Sequence, residues 1–192
     1  MDLITNFIQL VTEYLINCGP LLGILIIILE SFFPPLPLGV FIALNCNAYG
    51  IVFGIILSWI STVFGCTLSY LLFKKLSNKV IYKYLSEKTK ERVKRSSLKF
   101  NKLSLSSLVL IIALPFTPAF LVNIIAGVSN LPRKKFITAL LIGKMSIVGF
   151  WGIIGKSFIE SMHDIKAIIF ILMALLIAYI ISKIVSKKAH IE

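Results

Sequence analysis

Two charged residues and two groups of prolines stand where this chain is otherwise apolar. Glu30 closes the run LGILIIILE and precedes Pro34, Pro35 and Pro37; Lys144 lies well inside a later run, in IGKMS. Pro115 and Pro118 repeat the PxxP spacing of Pro34 to Pro37. Asn45 and Asn47 follow the first proline group, and Thr117, Asn123 and Gly127 lie in or after the second.

A charge at the centre of a bilayer costs on the order of 3 kcal/mol, so an ionisable residue kept there is a functional candidate. Desolvation disfavours the charged form of a carboxyl group, which suits Glu30 to proton exchange. The competing reading is a carboxylate satisfied by helix amides or a basic partner. Lys144 has three readings: pairing with Glu30, attraction of a lipid phosphate, or snorkelling of its long stem to the interface. Asn45, Asn47, Thr117 and Asn123 would line the breaks, either satisfying freed backbone groups or contacting substrate. The prolines and Gly127 are architectural.

Those residues need broken helices to hold them. Proline removes a backbone donor and clashes with the preceding turn, so a helix must stop near Phe33. The apolar stretches on either side are each shorter than the roughly 20 residues that span a bilayer. Irregular backbone at membrane depth survives only where protein or a wet cavity covers it. Residues 19–50 therefore read as a re-entrant hairpin, and residues 105–131 as a second one. Both return limbs carry an asparagine and end in small residues, Ala48-Tyr49-Gly50 and Ala126-Gly127, which marks an internal repeat.

Full spans follow each hairpin. Residues 51–73 carry no charge over 23 positions, enough to cross with some tilt. Gly54, Ser58, Ser61, Thr62, Gly65 and Ser69 form a small-residue stripe on it, which reads as a packing face. Residues 136–158 form the second span, with Trp151 and Lys156 near its outer end, and residues 165–184 a last one. Residues 1–18 read as an amphipathic helix, broken from the first hairpin at Gly19-Pro20. The tail is 185–192.

Composition agrees with a polytopic membrane protein: 192 residues, 58% hydrophobic, formal net charge +12. The connection 74–104 concentrates the charge, with eleven Lys and Arg against Glu87 and Glu91 between Lys74 and Lys102. The positive-inside rule places this connection and the C-terminus in the cytoplasm of a cell that keeps the protein in its plasma membrane. Basic residues at segment ends fit anionic lipid better than nucleic acid. The first hairpin, flanked by no charge, then opens outward and the second inward. Such inverted repeats in transporters meet near the midplane around a substrate site.

Catalytic machinery is not indicated, since no nucleophile has a base beside it. Cys18, Cys46 and Cys66 form no CxxC and read as small buried hydrophobes. Glu160, His163 and Asp164 share a short outer loop, and His190 lies on the tail. No metal and no cofactor is expected.

The stretches ESFFPPLPL with NCNAYG, and ALPFTPAFLVNIIAGVSNLPRKKF with GK eight residues on, resemble the DedA/VTT-domain superfamily, also called SNARE-associated Golgi proteins. The second stretch is most similar to the Tlg-vesicle-protein-like branch. The resemblance covers about residues 22–158. It implies opposed re-entrant hairpins and movement of lipids between leaflets, phospholipids in some members and undecaprenyl phosphate in others, with proton coupling associated. It also places Glu30 where members carry an acid before the proline break. Two departures stand out. Leu38, Gly39 and Val40 replace a second acid, and Ile112, Ala113 and Leu114 stand where an arginine is expected. Phosphate binding by a buried arginine is therefore not carried over.

The expectation is an all-α integral membrane protein built as an inverted repeat of two re-entrant hairpins, each followed by a transmembrane helix, with a further C-terminal helix. Its expected function is transport or scrambling of a lipid, phospholipid or polyprenyl phosphate, through a cavity between the hairpins. The alternatives are proton-coupled transport of a small ion or solute, and a non-transporting scaffold that binds through the basic connection.

Overall fold

The computed structural model of the protein describes residues 2–33, 38–76, 91, 97–98, 100–115, 117, 119–160, 173, 176, 179–180 and 183. Pro34, Pro35, Pro37 and Pro118, most of the connection after Leu76 and most of the expected span 165–184 lie outside the described residues. His163, Asp164, His190 and the tail 185–192 lie outside them as well.

The seven helices among the described residues that form extended elements are α1 (Asp2–Cys18), α2 (Pro20–Glu30), α3 (Leu38–Tyr49), α4 (Ile51–Leu76), α5 (Leu105–Ala113), α6 (Ala119–Val128) and α7 (Arg133–Glu160). No strand occurs among the described residues. α4 and α7 are each long and apolar enough to cross a membrane. α1 and α2 meet at 114° and add a third crossing if they are taken as one broken span.

The breaks follow from local chemistry. Gly19 has φ +73°, a left-handed conformation open to glycine, and Pro20 then starts α2 where its missing N–H is not needed. α2 tightens after Glu30, where Phe32 N–H donates to the Leu29 carbonyl at 3.0 Å and Phe33 N–H to the Glu30 carbonyl at 3.1 Å. These i→i−3 bonds are the usual last turn of a helix about to stop. Leu114 is extended, with ψ 126°, as a residue before proline must be. At the start of α5, the Ser104 hydroxyl caps the helix by accepting from Ser107 N–H at 3.1 Å.

α6 ends in a Schellman motif. Leu131 N–H donates to the Ala126 carbonyl and Asn130 N–H to the Gly127 carbonyl, both at 3.1 Å, with Asn130 left-handed at φ 53°. The Leu131 carbonyl then accepts from Tyr70 Oη at 2.6 Å, and Lys74 Nζ reaches the same oxygen at 3.4 Å. This elbow fixes the start of α7 against the end of α4. Lys135 Nζ donates to the Asn101 and Leu103 carbonyls, which brings the start of α5 to the same end.

α4 and α7 pack on each other and share the shorter helices α2, α3, α5 and α6 between them. α2 and α6 lie on α4; α3 and α5 lie on α7; α3 also touches α4. Glycines make these approaches possible. A Cβ at Gly65 on α4 would lie 2.6 Å from Ser31 Oγ and 3.0 Å from Ile28 Cα on α2, and one at Gly143 on α7 would lie 2.8 Å from Ile112 Cγ2 on α5.

Two buried apolar clusters result. One gathers Tyr70, Leu108, Ile112, Val122, Phe136 and Leu140. The other gathers Ile27, Ile42, Cys46, Ile147 and Val148, with Trp59 and Trp151 against it. The surface opposite is apolar too. Val52, Ile56, Ile60, Phe64, Leu68 and Leu72 form an exposed ridge along α4, at the four-residue spacing of one helix face. That ridge suits a hydrocarbon solvent and would be costly in water.

Candidate functional site

Lys144 sits at the seam between the two clusters. One turn before it on α7 is Leu140, in the first cluster; one turn after it are Ile147 and Val148, in the second. At ~1.5 Å per residue, it lies ~16 Å along α7 from the Arg133 end. Its residue is only 2% exposed, so the long stem does not snorkel to an interface. Glu30, 8% exposed at the end of α2, lies within electrostatic reach of the Lys144 ammonium. Its Oε2 has no hydrogen-bond partner among the described residues. One acid from α2 and one base from α7 are thus buried in the same interior without a direct ion pair between them.

A narrow pocket is lined by Ile112, Thr117, Ala119, Val122, Asn123, Leu140 and Lys144. It has about 10 Å³ of free volume, room for about one water. Asn123 is 1% exposed and its Nδ2 has no hydrogen-bond partner among the described residues. A buried amide donor with no partner is uncommon and costly, and often marks a place where something binds. Thr117 is set in the turn after Pro115 by its N–H bond to the Leu114 carbonyl at 3.2 Å.

Glu30, Lys144, Thr117 and Asn123 are therefore brought to one region. Asn45 and Asn47 are not. Asn45 donates through Nδ2 to Ser58 Oγ at 3.2 Å and packs on Gly23, tying α2, α3 and α4 together. Asn47 donates to Thr12 Oγ1 at 3.2 Å and ties α3 to α1. Gly127 lies against the α4 backbone at Tyr70 and Lys74, away from the pocket lining. Pro115 is half-buried beside the turn.

Two further polar groups lie in the small-residue stripe of α4. Thr62 and Ser69 are fully buried on α4, and neither hydroxyl oxygen has a hydrogen-bond partner among the described residues. A helix-interior Ser or Thr commonly bonds the carbonyl four residues back, as Ser61 does to Leu57 and Thr67 to Val63. Thr62 and Ser69 depart from that habit, and nothing in residue type alone separates them from Ser61 and Thr67.

Ser31, next to Glu30, is fully buried; its hydroxyl reaches the Ile27 carbonyl at 3.4 Å and lies 3.8 Å from Cys66 Sγ. It pins the end of α2 to α4 and so fixes where the Glu30 side chain starts.

The family model of the VTT domain matches residues 36–157. The chain is 28% identical to the membrane protein YhjE of Bacillus subtilis over 175 residues, 91% of this chain and 83% of that one. It is 27% identical to YqeD of the same organism over 145 residues, 73% and 67% of the two chains. It is 29% identical to Transmembrane protein 41B of Xenopus tropicalis over 121 residues, 63% of this chain and 38% of that protein. No solved structure matches. The matched region runs from the proline break before α3 almost to the end of α7, and so takes in Lys144, Thr117 and Asn123. This all-helical membrane protein belongs to the VTT-domain family, also called the DedA family.

Proposed function

We propose that the protein moves a lipid, a phospholipid or polyprenyl phosphate, between membrane leaflets along a cavity between two re-entrant hairpins. α2 with α3 forms one hairpin and α5 with α6 the other, each followed by a full span, α4 and α7. The packing supports an inverted repeat. Each hairpin's first limb lies on its own span, α2 on α4 and α5 on α7. Each return limb lies on the other repeat's span, α3 on α7 and α6 on α4. Gly65 and Gly143 stand in matching roles, each receiving the first limb about one turn before its proline break. The basic ends of α4 and α7 lie together, which favours a cytoplasmic face at that end of a plasma-membrane protein.

The observation that carries the reading is the burial of both Glu30 and Lys144, the lysine lining a pocket with an unpartnered amide. Charges are kept at such depth where a polar cargo or ion must pass. The closed pocket is then a resting state, which must widen to admit a headgroup. Reconstitution into liposomes with labelled phospholipids, and separately with polyprenyl phosphate, tests the proposal. Flipping above the rate of empty vesicles for at least one lipid supports it; empty-vesicle rates for all of them overturn it.

A second reading draws on the same carboxylate. Proton-coupled transport of a small solute would use Glu30 as the coupling acid, its Oε2 being unpartnered. Glu30→Gln would then abolish pH-driven uptake at normal abundance. Unchanged uptake in that variant removes the acid from such a mechanism.

A further inference from the structure

α1 packs on α3 and α2 and meets α2 at 114°. Gly19 and Pro20 form the joint between them. Gly19 has φ +73° and ψ 179°, a region open essentially to glycine alone. Among the described residues, no atom lies within 4 Å of where its Cβ would stand. Pro20 has no N–H with which to continue the α1 ladder. The last backbone bond of α1 is therefore Gly19 N–H to the Ile16 carbonyl, at 3.3 Å. The joint is a glycine swivel with open space around it.

Two side-chain bonds hold α1 down, both from the last turn of α3. Asn47 Nδ2 donates to Thr12 Oγ1 at 3.2 Å, and that hydroxyl donates on to the Ile8 carbonyl at 2.7 Å. Tyr49 Oη donates to the Leu15 carbonyl, one of the last four in the helix, which lack an intrahelical donor. Val11 and Leu15, one turn apart on the same face, cover a recess of about 20 Å³ that reaches Ile26 of α2 and Phe41 of α3. Leu15 is only 2% exposed. The α5–α6 pair is closed differently. Asn101 Nδ2 donates to the Ser129 carbonyl at 2.6 Å, and Lys135 of α7 bonds the Asn101 carbonyl. Tyr70 and Lys74 of α4 bond the Leu131 carbonyl. That closure is tied into both spans, whereas among the described residues side-chain bonds tie α1 to α3 alone.

We infer that α1 is a hinged lid over the α2–α3 pair, which swings about Gly19-Pro20 when the Asn47 and Tyr49 bonds part and uncovers the recess beneath Leu15. Neutral hydrogen bonds each contribute modestly, so the lid opens as a local event without unfolding the bundle. Lids on such hinges admit a ligand and then enclose it. A role in admitting cargo rests on the transport reading above; the lid itself rests on the swivel, the seat and the two bonds.

Thiol labelling of purified protein in nanodiscs tests this, with Cys18, Cys46 and Cys66 replaced. Leu15→Cys lies under the lid and reports its opening by the rate of reaction with a charged maleimide. Two changes release the lid by unrelated routes. Asn47→Ala with Tyr49→Phe removes both bonds, and Gly19→Ala puts a Cβ on a backbone that disfavours it while touching nothing. Each should raise the labelling rate of Leu15→Cys about tenfold or more. Leu108→Cys, fully buried in the other cluster, should stay slow in both backgrounds. Unchanged labelling of Leu15→Cys in both backgrounds overturns the inference. An equal rise at Leu108→Cys means general loosening and overturns it too. If Leu15→Cys does not fold, Val11→Cys reports from the same face of α1 under the same criteria. Because labelling reads the lid without any lipid being moved, its outcome is separate from that of the flipping assay.

Discussion

A Cβ placed on Gly127 would lie 2.8 Å from the Tyr70 carbonyl oxygen, so α6 and α4 meet backbone to backbone. Lys74 N and Phe73 Cβ are as close, at 2.9 and 2.8 Å. None of these is the end of a flexible side chain, so Gly127→Ala has to push α6 off α4. Overpacking of this kind costs about 1–3 kcal/mol. A melt of the detergent-solubilised variant should fall by several degrees; an unchanged melt contradicts the contact.

The elbow after α6 offers a smaller effect. Tyr70 Oη donates to the Leu131 carbonyl at 2.6 Å, and its ring lies 4.6 Å from that of Phe136. Tyr70→Phe keeps the ring and removes only the hydroxyl. The loss should be about 0.5–1.5 kcal/mol, softened because Lys74 still reaches the same oxygen. The melting temperature checks it, and a loss as large as that of Gly127→Ala would show that the hydroxyl does more than hold the elbow.

Glu30 and Lys144 should behave as a coupled pair. Lys144→Met takes a positive charge out of electrostatic reach of the buried Glu30 and should lower the melting temperature. Adding Glu30→Gln removes the stranded charge, so the double variant should recover most of the loss. A double-mutant cycle on thermal stability measures the coupling. Simple additivity of the two changes would mean that the groups do not interact.

The two buried asparagines should separate stability from transport. Asn45 is bonded to Ser58 and lies off the polar seam, so Asn45→Ala should lower stability by about 1–3 kcal/mol while folded protein flips lipid near the wild-type rate. Asn123 Nδ2 has no bond to lose, so Asn123→Ala should change stability little and slow flipping several-fold. The reverse pattern, in a liposome flipping assay normalised to folded protein, would place the cavity on the wrong side of α3.

The breaks and the spans were legible because proline and glycine act locally. Pro20 opens α2, Pro115 follows an extended Leu114, and α4 starts at Ile51 as the charge-free run indicates. α4 runs on to Leu76 and α7 starts at Arg133, because a lysine or arginine in a terminal turn extends a helix as readily as it ends a hydrophobic run. Pairing with Glu30 was one of three readings open for the lysine; its burial removes snorkelling and leaves the other two. The fates of Asn45, Asn47 and Asn123 were not legible. Each sits in a return limb after prolines, and only the rotation of α3 and α6 about their axes decides which finds a hydroxyl and which does not. Nor could residue type distinguish Thr62 and Ser69 from their bonded neighbours on α4.

Lipid movement as proposed above requires two broken-helix hairpins that enter from opposite faces and approach each other near Glu30 and Lys144. Substituted-cysteine labelling tests this directly, in a background with Cys18, Cys46 and Cys66 replaced. Single cysteines at Leu38, beside the first break, and at Ala119, beside the second, are exposed in turn to a membrane-impermeant thiol reagent from each side of sealed vesicles. The account predicts that Leu38→Cys is labelled from the outer side and Ala119→Cys from the cytoplasmic side. Labelling of both from the same side would contradict it.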